Sequence, residues 1–101
     1  MIGTHVVYRM KPDGVDTFLT WKIHELEPQR HAPGFIKRWM GRSLSKPTHF
    51  YYLTFWESKE HIDTFIETRE FLETKEITKV DDAFESYTPI RVTEVFDDRV
   101  G

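Results

Sequence analysis

His5 and Arg9, near the N-terminus, are the residues whose types best fit acid–base chemistry on a predicted strand. A histidine side chain has an ordinary pKa of about 6.5, so its neutral form can accept a proton near neutral pH. An arginine keeps its positive charge and can stabilise the anion that this proton transfer leaves behind. These residue types can therefore serve as a general base and as an anion stabiliser. The alternative is that His5 is structural or faces a partner subunit, and that Arg9 pairs with a carboxylate.

Other kinds of reactive site have no support in the sequence. The chain contains no cysteine, which excludes disulfides, thiolate metal sites and cysteine nucleophiles. Its five histidines show neither a pair four residues apart with an intervening glutamate nor a two-histidine, one-carboxylate spacing. We therefore expect no metal site. Glycine-rich phosphate loops, nucleophile elbows and nicotinamide fingerprints are also absent from the sequence.

The composition is typical of one small globular domain, which we predict to span residues 1–101. The 17 acidic and 14 basic residues include no basic block, so we expect no nucleic-acid partner. No apolar run approaches the roughly 20 residues of a membrane span, and no signal peptide is evident. We expect no membrane partner and a cytoplasmic location. Aromatic residues form 15% of the chain, which fits a well-filled core or a pocket for a flat ligand.

Periodicity in the apolar residues predicts the elements that position these side chains. Alternation predicts strands at 2–10, 35–44, 50–56 and 87–96, and helical spacing predicts helices at 15–27, from 58 onward and at 68–79. The resulting order, β-α-β-β-α-β, is the ferredoxin-like arrangement of the α+β class. It predicts a four-stranded antiparallel sheet with the helices on one face.

The first helix carries its apolar residues on one predicted stripe. The stripe consists of Val15, Phe18, Leu19, Lys22, Ile23 and Leu26, and it predicts which face packs on the sheet. Trp21 falls beside this stripe, which favours a rim or subunit contact. Pro28 and Pro33-Gly34 are predicted to end the helix.

The third predicted strand is apolar on both faces. Tyr51, Leu53 and Phe55 share one face, whereas Phe50, Tyr52 and Trp56 share the other. Helices can cover only one of these faces, and monomers rarely leave an apolar patch of this size in water. Burial of each large aromatic side chain is worth about 1.5–3 kcal/mol. We therefore predict a homodimer that packs sheet against sheet.

Motifs on the second and third strands resemble one protein family. They are Ala32-Pro33-Gly34-Phe35 and Phe55-Trp56-Glu57-Ser58, followed by Phe65 and by Thr68-Arg69-Glu70-Phe71. Together they resemble the antibiotic biosynthesis monooxygenase superfamily of dimeric α+β barrels, over about residues 2–96. The resemblance implies a dimer whose two sheets form a barrel, with a pocket between the sheet and helices of each subunit. Some members are cofactor-independent oxygenases of polycyclic phenols or quinols.

The resemblance also implies positions for the pocket residues. In the haem-degrading members, the pocket asparagine matches Val7, the helix aromatic matches Phe65 and the iron-binding histidine matches Lys75. All three positions differ from that pattern, and a protonated lysine has no lone pair for iron. We therefore expect no cofactor, with haem as the alternative. His5 and Arg9 share a strand face with Val7, so the resemblance directs them towards the pocket. On that basis we predict His5 as the general base and Arg9 as the anion stabiliser.

The resemblance further implies that Trp56, Phe65 and Phe71, together with Val7, form the substrate-binding walls, with core packing as the alternative for each aromatic residue. We predict a homodimeric protein of monooxygenase type, an oxidoreductase, that acts on a small, planar, phenolic or quinoid molecule. One alternative is a haem-binding or haem-degrading protein of the same superfamily. Another is a non-catalytic ligand-binding or stress-response dimer.

Overall fold

A computed structural model describes residues 1–96 as one antiparallel sheet of five strands, covered on one face by three α-helices. The elements are β1 (Ile2–Met10), α1 (Val15–Arg30), β2 (Phe35–Arg42), β3 (His49–Trp56), α2 (Lys59–Ile66), α3 (Arg69–Thr78), β4 (Phe84–Tyr87) and β5 (Arg91–Glu94). The strand order is β2-β3-β1-β4, and β5 also pairs with β1. This architecture confirms the predicted ferredoxin-like α+β fold. The composition of 97–101 predicts a polar tail, and this segment lies outside the described residues.

Residues on β1 and β3 alternate between the two faces of the sheet. The residues directed towards the helices are buried: Thr4, Val6, Tyr8 and Met10 on β1, and Phe50, Tyr52, Thr54 and Trp56 on β3. The intervening residues, which include His5, Val7 and Arg9 on β1 and Tyr51, Leu53 and Phe55 on β3, are half-buried or exposed. The predicted division of the β3 aromatic residues between two faces is therefore confirmed.

The C-terminal part of the sheet is divided into two short strands rather than the one predicted at 87–96. Both pair with β1, β4 near Met10 and β5 near Ile2, and residues 88–90 separate them. Pro89 lacks a backbone N–H and cannot join the ladder of hydrogen bonds. Thr88 replaces the lost pairing, because its N–H donates to the Val7 carbonyl at 3.0 Å and its Oγ1 accepts from the Val7 N–H at 2.9 Å.

Helix α1 continues past Pro28 to Arg30, so the prediction that Pro28 ends the helix is wrong. A proline within a helix removes the hydrogen bond to the carbonyl four residues earlier, here that of His24. Because Pro28 lies in the last turn and His24 is exposed, water can satisfy that carbonyl. The chain leaves the helix before Gly34, whose φ of +82° is a left-handed conformation that favours glycine.

The face that α1 buries differs from the predicted apolar stripe. Trp21 is 3% exposed, whereas Ile23 is 71% exposed and Leu26 is also exposed. The Trp21 ring packs edge-on against Tyr8, and its Nε1 donates to Thr74 Oγ1 on α3 at 3.1 Å. Docking of the indole between the sheet and α3 therefore sets the rotation of α1. No helix within residues 1–96 is long and apolar enough to cross a membrane.

Candidate functional site

A small chamber of about 70 Å³ lies between the sheet and the helices. Its polar lining consists of Thr4, Tyr8, Lys22, Glu25, Gln29, Tyr52 and Thr54, and aromatic and aliphatic side chains complete the wall. Ile66 and Ile90, which also line it, are exposed, so the chamber reaches the surface there. Its volume is below the roughly 300–1,000 Å³ typical of small-molecule sites, so an aromatic ligand must displace part of this wall.

Lys22 and Glu25 form an ion pair within this chamber. They are 1% and 3% exposed, and Lys22 Nζ lies 3.3 and 3.4 Å from the two carboxylate oxygens. These distances are longer than the roughly 2.7–2.9 Å of a tight charge-assisted hydrogen bond. The Nζ atom lies instead between aromatic rings, 3.7 Å from the centre of the Tyr52 ring and 3.9 Å from that of Trp21. The cation is therefore stabilised by ring faces as well as by the carboxylate.

Burial shifts the proton equilibria of the chamber. Loss of hydration penalises the charged ammonium and lowers the pKa of Lys22 to about 8, although the negative charge of Glu25 opposes this shift. Burial also raises the pKa of Tyr8 and of Tyr52, and the charge of Glu25 raises both further. The chamber thus contains one amine that exchanges a proton near physiological pH, beside two phenols that stay neutral.

A chain of hydrogen bonds runs from α1 to β3 and fixes the direction of each donor. Tyr52 Oη donates to Glu25 Oε1 at 2.6 Å, and Gln29 Nε2 donates to Tyr52 Oη at 2.8 Å. The Gln29 amide is thereby held in one orientation. Its Oε1 is buried and has no hydrogen-bond partner among residues 1–96. An unsatisfied buried acceptor costs about 1–3 kcal/mol, which a ligand hydroxyl could recover.

Three of the predicted substrate-binding residues, Trp56, Phe65 and Phe71, line the chamber. Trp56 is 2% exposed, and its ring packs against Phe65 with 5.4 Å between the ring centres. Its Nε1 donates to Thr54 Oγ1 at 2.8 Å, so the indole serves as an apolar wall rather than as a donor. Phe65 in turn packs against Phe71 at 5.1 Å.

His5, Val7 and Arg9 lie on the opposite face of β1, away from the helices. The expectation that this face meets the pocket between sheet and helices is wrong, because Thr4, Val6 and Tyr8 line the chamber instead. Alternation along the strand places neighbouring residues on opposite faces, so an alignment shifted by one residue reverses the face. The catalytic roles of His5 and Arg9 stay predictions, and they would require a site on the opposite face.

The sequence reasoning missed the polar residues that α1 contributes to the chamber. Lys22, Glu25 and Gln29 follow one another at spacings of three and four residues, which places them on one helical face. The predicted apolar stripe includes Lys22, and apolar periodicity alone gives this lysine no chemical role. A lysine on that stripe, followed at i+3 by a glutamate, is the signal that could have indicated a buried ion pair.

A larger, open cleft of about 490 Å³ lies beside the chamber, between the end of α1 and helix α2. It is lined by Pro28, His31, Ala32, Pro33, Glu60, His61, Thr64, Phe65, Thr68 and Glu70. Phe65 lines both the cleft and the chamber, so its ring is a wall common to the two spaces. The cleft volume lies within the roughly 300–1,000 Å³ typical of small-molecule sites.

The antiparallel sheet with helices on one face and a chamber between the two layers places this chain among the ferredoxin-like α+β domains. The model of the antibiotic biosynthesis monooxygenase family matches residues 1–77, and the chain therefore belongs to that family. No curated protein matches the sequence.

Solved structures share the fold at low sequence identity. An antibiotic biosynthesis monooxygenase superposes with a TM-score of 0.80 at 16% identity, over 96% of this chain and 100% of that one. A conserved protein from Methanosarcina mazei Go1 gives 0.80 at 20% identity, over 91% and 89% of the two chains. Rv0793 from Mycobacterium tuberculosis gives 0.77 at 14% identity, over 98% of each. At these identities the similarity establishes the fold alone.

Proposed function

We propose that this protein is a cofactor-independent monooxygenase that acts on a planar phenolic or quinoid molecule. Membership of the family supports the reaction class. The observation that carries the proposal is the buried Lys22–Glu25 pair beside a chamber with aromatic walls. Such a reaction needs a base for the substrate hydroxyl, a charge that stabilises the resulting anion, and exclusion of bulk water.

Lys22 can fill the first two of these requirements. In its neutral form the amine accepts the proton of the substrate hydroxyl, and the resulting ammonium then lies beside the phenolate. Glu25 positions the amine, while Tyr52 holds Glu25 through the 2.6 Å hydrogen bond. Gln29 Oε1 offers an acceptor that can orient the hydroxyl before proton transfer. A flat ring system that displaces part of the wall would find stacking surfaces on the aromatic side chains that remain.

The reaction balances without a further reductant. The phenolate is electron-rich and passes an electron to O₂, after which the oxygen species and the ring radical combine at the ring carbon opposite the hydroxyl. Loss of the hydrogen on that carbon and cleavage of the O–O bond give a quinone and water. One oxygen atom of O₂ enters the quinone and the other enters the water, and the substrate supplies all four electrons.

Haem fits the chamber poorly. No histidine is among the residues that line it, and residues 1–96 contain no group of three metal-binding side chains. Lys75, which matches the iron-binding position, lies 3.4 Å from Asp81 Oδ1 in an ion pair. We therefore derive no haem chemistry for this chain.

We also propose that the protein acts as a homodimer in the cytoplasm. On the sheet face opposite the helices, Trp39 is 53% exposed and Tyr51 is 40% exposed, and the half-buried Leu53 and Phe55 lie near them. A second copy packed on this face would remove a contiguous apolar surface from water. His5 and Arg9 lie on the same face, so a dimer would bury them at the interface.

The decisive experiment measures oxygen uptake under ¹⁸O₂ with 1-naphthol and related phenols that carry a hydrogen on the ring carbon opposite the hydroxyl. We expect uptake above the uncatalysed rate, one ¹⁸O atom in the quinone product, and a loss of at least 100-fold in Lys22→Met, in line with removal of a general base. Lys59→Met is the matched control, since Lys59 is exposed and pairs only with Asp63 among the residues described. Background rates throughout the panel, or full activity in Lys22→Met, would refute the proposal.

A further inference from the structure

The cleft between α1 and α2 has an imidazole held in place at its wall, that of His61. Ser58 Oγ caps α2 by accepting from the His61 backbone N–H at 3.3 Å, and the same Oγ lies 2.7 Å from His61 Nδ1. In the tautomer that leaves Nδ1 as an acceptor, the Ser58 hydroxyl donates its hydrogen to Nδ1. The proton of the neutral imidazole then lies on Nε2. This N–H has no partner within residues 1–96.

The position of the His61 ring is set from both sides. Ser58 holds one edge, and Gly34 lies directly against the ring, so that a methyl group added at Gly34 would overlap the imidazole. Gly34 also has a positive φ. Glycine is therefore required here for two reasons: its backbone conformation and its close contact with the imidazole. A donor held in this way is preorganised, and ordering it costs a ligand little conformational entropy.

Apart from its two histidines, the only ionisable side chains described along the cleft are carboxylates. Glu60 and Glu70 line it, and no lysine or arginine of the described residues does. Pro28, Ala32, Pro33 and Phe65 supply an apolar surface between these carboxylates. A ligand with a carboxylate, sulfonate or phosphate group would therefore be repelled, whereas an uncharged ring system would bury apolar area.

We propose that the cleft binds the body of an uncharged, planar, carbonyl-bearing aromatic molecule whose oxygen accepts a hydrogen bond from His61 Nε2. The proposal deepens the proposed function and rests on it for the chemistry after binding. Phe65 forms the wall between the cleft and the chamber, so displacement of this one ring brings the bound molecule towards Lys22. Quinones and aryl ketones have the required shape, charge and acceptor.

Three related probes separate the contributions to binding. 9-Fluorenone has the flat body and the carbonyl, fluorene lacks the carbonyl, and 9-fluorenone-2-carboxylate adds a negative charge. Titration at pH 8, followed by ¹H–¹⁵N NMR, gives both affinity and location. We expect fluorenone to shift the amides of Thr64, Phe65 and Thr68. Fluorene should bind about two- to tenfold more weakly, as one hydrogen bond implies, and the carboxylate should bind about two- to fivefold more weakly.

Two variants test the assigned donors and charges. His61→Phe keeps the ring and the capping N–H but removes Nε2–H, so fluorenone and fluorene should bind with equal affinity. Glu60→Gln with Glu70→Gln should remove the penalty on the carboxylate probe, whereas Glu76→Gln with Glu85→Gln, which lie outside the cleft, should retain it. Preserved circular dichroism shows that each variant is folded.

The outcomes distinguish this proposal from the oxygenase reaction, because fluorenone has no hydroxyl to oxidise. Shifts that map elsewhere, equal affinity for the three probes, or an unchanged preference in His61→Phe would overturn the cleft assignment. If naphthol turnover persisted in that case, the oxygenase would stand without the cleft. Selective fluorenone binding without turnover would leave the cleft assignment intact and refute the oxygenase alone.

Discussion

Tyr52 on β3 donates a 2.6 Å hydrogen bond to Glu25 on α1, across the interface between sheet and helix. The bond joins two residues that are 5% and 3% exposed, and Gln29 Nε2 donates to the same phenol oxygen. A buried network of this kind fixes the rotation of a helix, because other rotations would leave charges without partners. The same network holds Glu25 beside Lys22.

Removal of the buried Tyr52 hydroxyl should lower the free energy of unfolding more than removal of an exposed tyrosine hydroxyl. Tyr52→Phe leaves Glu25 without its shortest hydrogen bond and Gln29 Nε2 without an acceptor, so we expect a loss of about 1–3 kcal/mol in the free energy of unfolding. Tyr87→Phe is the control, since Tyr87 is exposed and lies off the proposed dimer face, and it should change the free energy of unfolding by less than about 0.5 kcal/mol. Urea denaturation of both variants measures the difference, and equal losses would contradict the role assigned to Tyr52.

The lowered pKa of Lys22 predicts a rise in stability with pH. The folded state loses this proton at about pH 8 and the unfolded state near 10.4, so between these values the unfolded chain binds more protons. Stability should rise by about 2 kcal/mol from pH 8 to 10 relative to Lys22→Met. Tyr8 and Tyr52 act in the opposite direction above about pH 10, since their raised pKa values favour ionisation in the unfolded state. Urea titrations at each pH test this, and parallel profiles of the two proteins would contradict it.

The pH dependence of turnover should follow the same amine. If neutral Lys22 is the base, kcat/KM for a naphthol should rise with a midpoint at about pH 8, provided that the naphthol itself titrates well above this value. Glu25 raises the pKa of Lys22, so Glu25→Gln should move the midpoint to lower pH while lowering the maximal rate. A midpoint that stays in place in Glu25→Gln would show that another group is the base.

The proposed dimer predicts a difference between two exposed apolar positions. Tyr51→Lys places a charge at the centre of the open sheet face and should shift the protein from dimer to monomer at micromolar concentration. Ile23→Lys, on the exposed side of α1, should leave the dimer intact although Ile23 is the more exposed of the two. Sedimentation velocity gives both results. A monomeric wild-type protein would refute the dimer.

Much of the fold follows from local patterns in the sequence. The alternation in β1 and β3 reflects the period of two that any half-buried strand imposes, so these strands and the separation of Phe50 from Tyr51 were predictable. Ser58 was predictable as a cap because its hydroxyl satisfies a free N–H of the helix that follows. The split of the last strand at Pro89 was missed because the apolar residues on either side look like one strand.

The candidate site depended on contacts between distant segments. Residues 22, 25 and 29 share a helical face whatever the fold, since this follows from 3.6 residues per turn. That this face turns inward depends on packing between distant segments, because burial of Trp21 against Tyr8 and Thr74 outweighs exposure of Ile23. The tertiary structure likewise decided that His5 faces away from the helices, because a strand shows which residues share a face but not which face the helices cover.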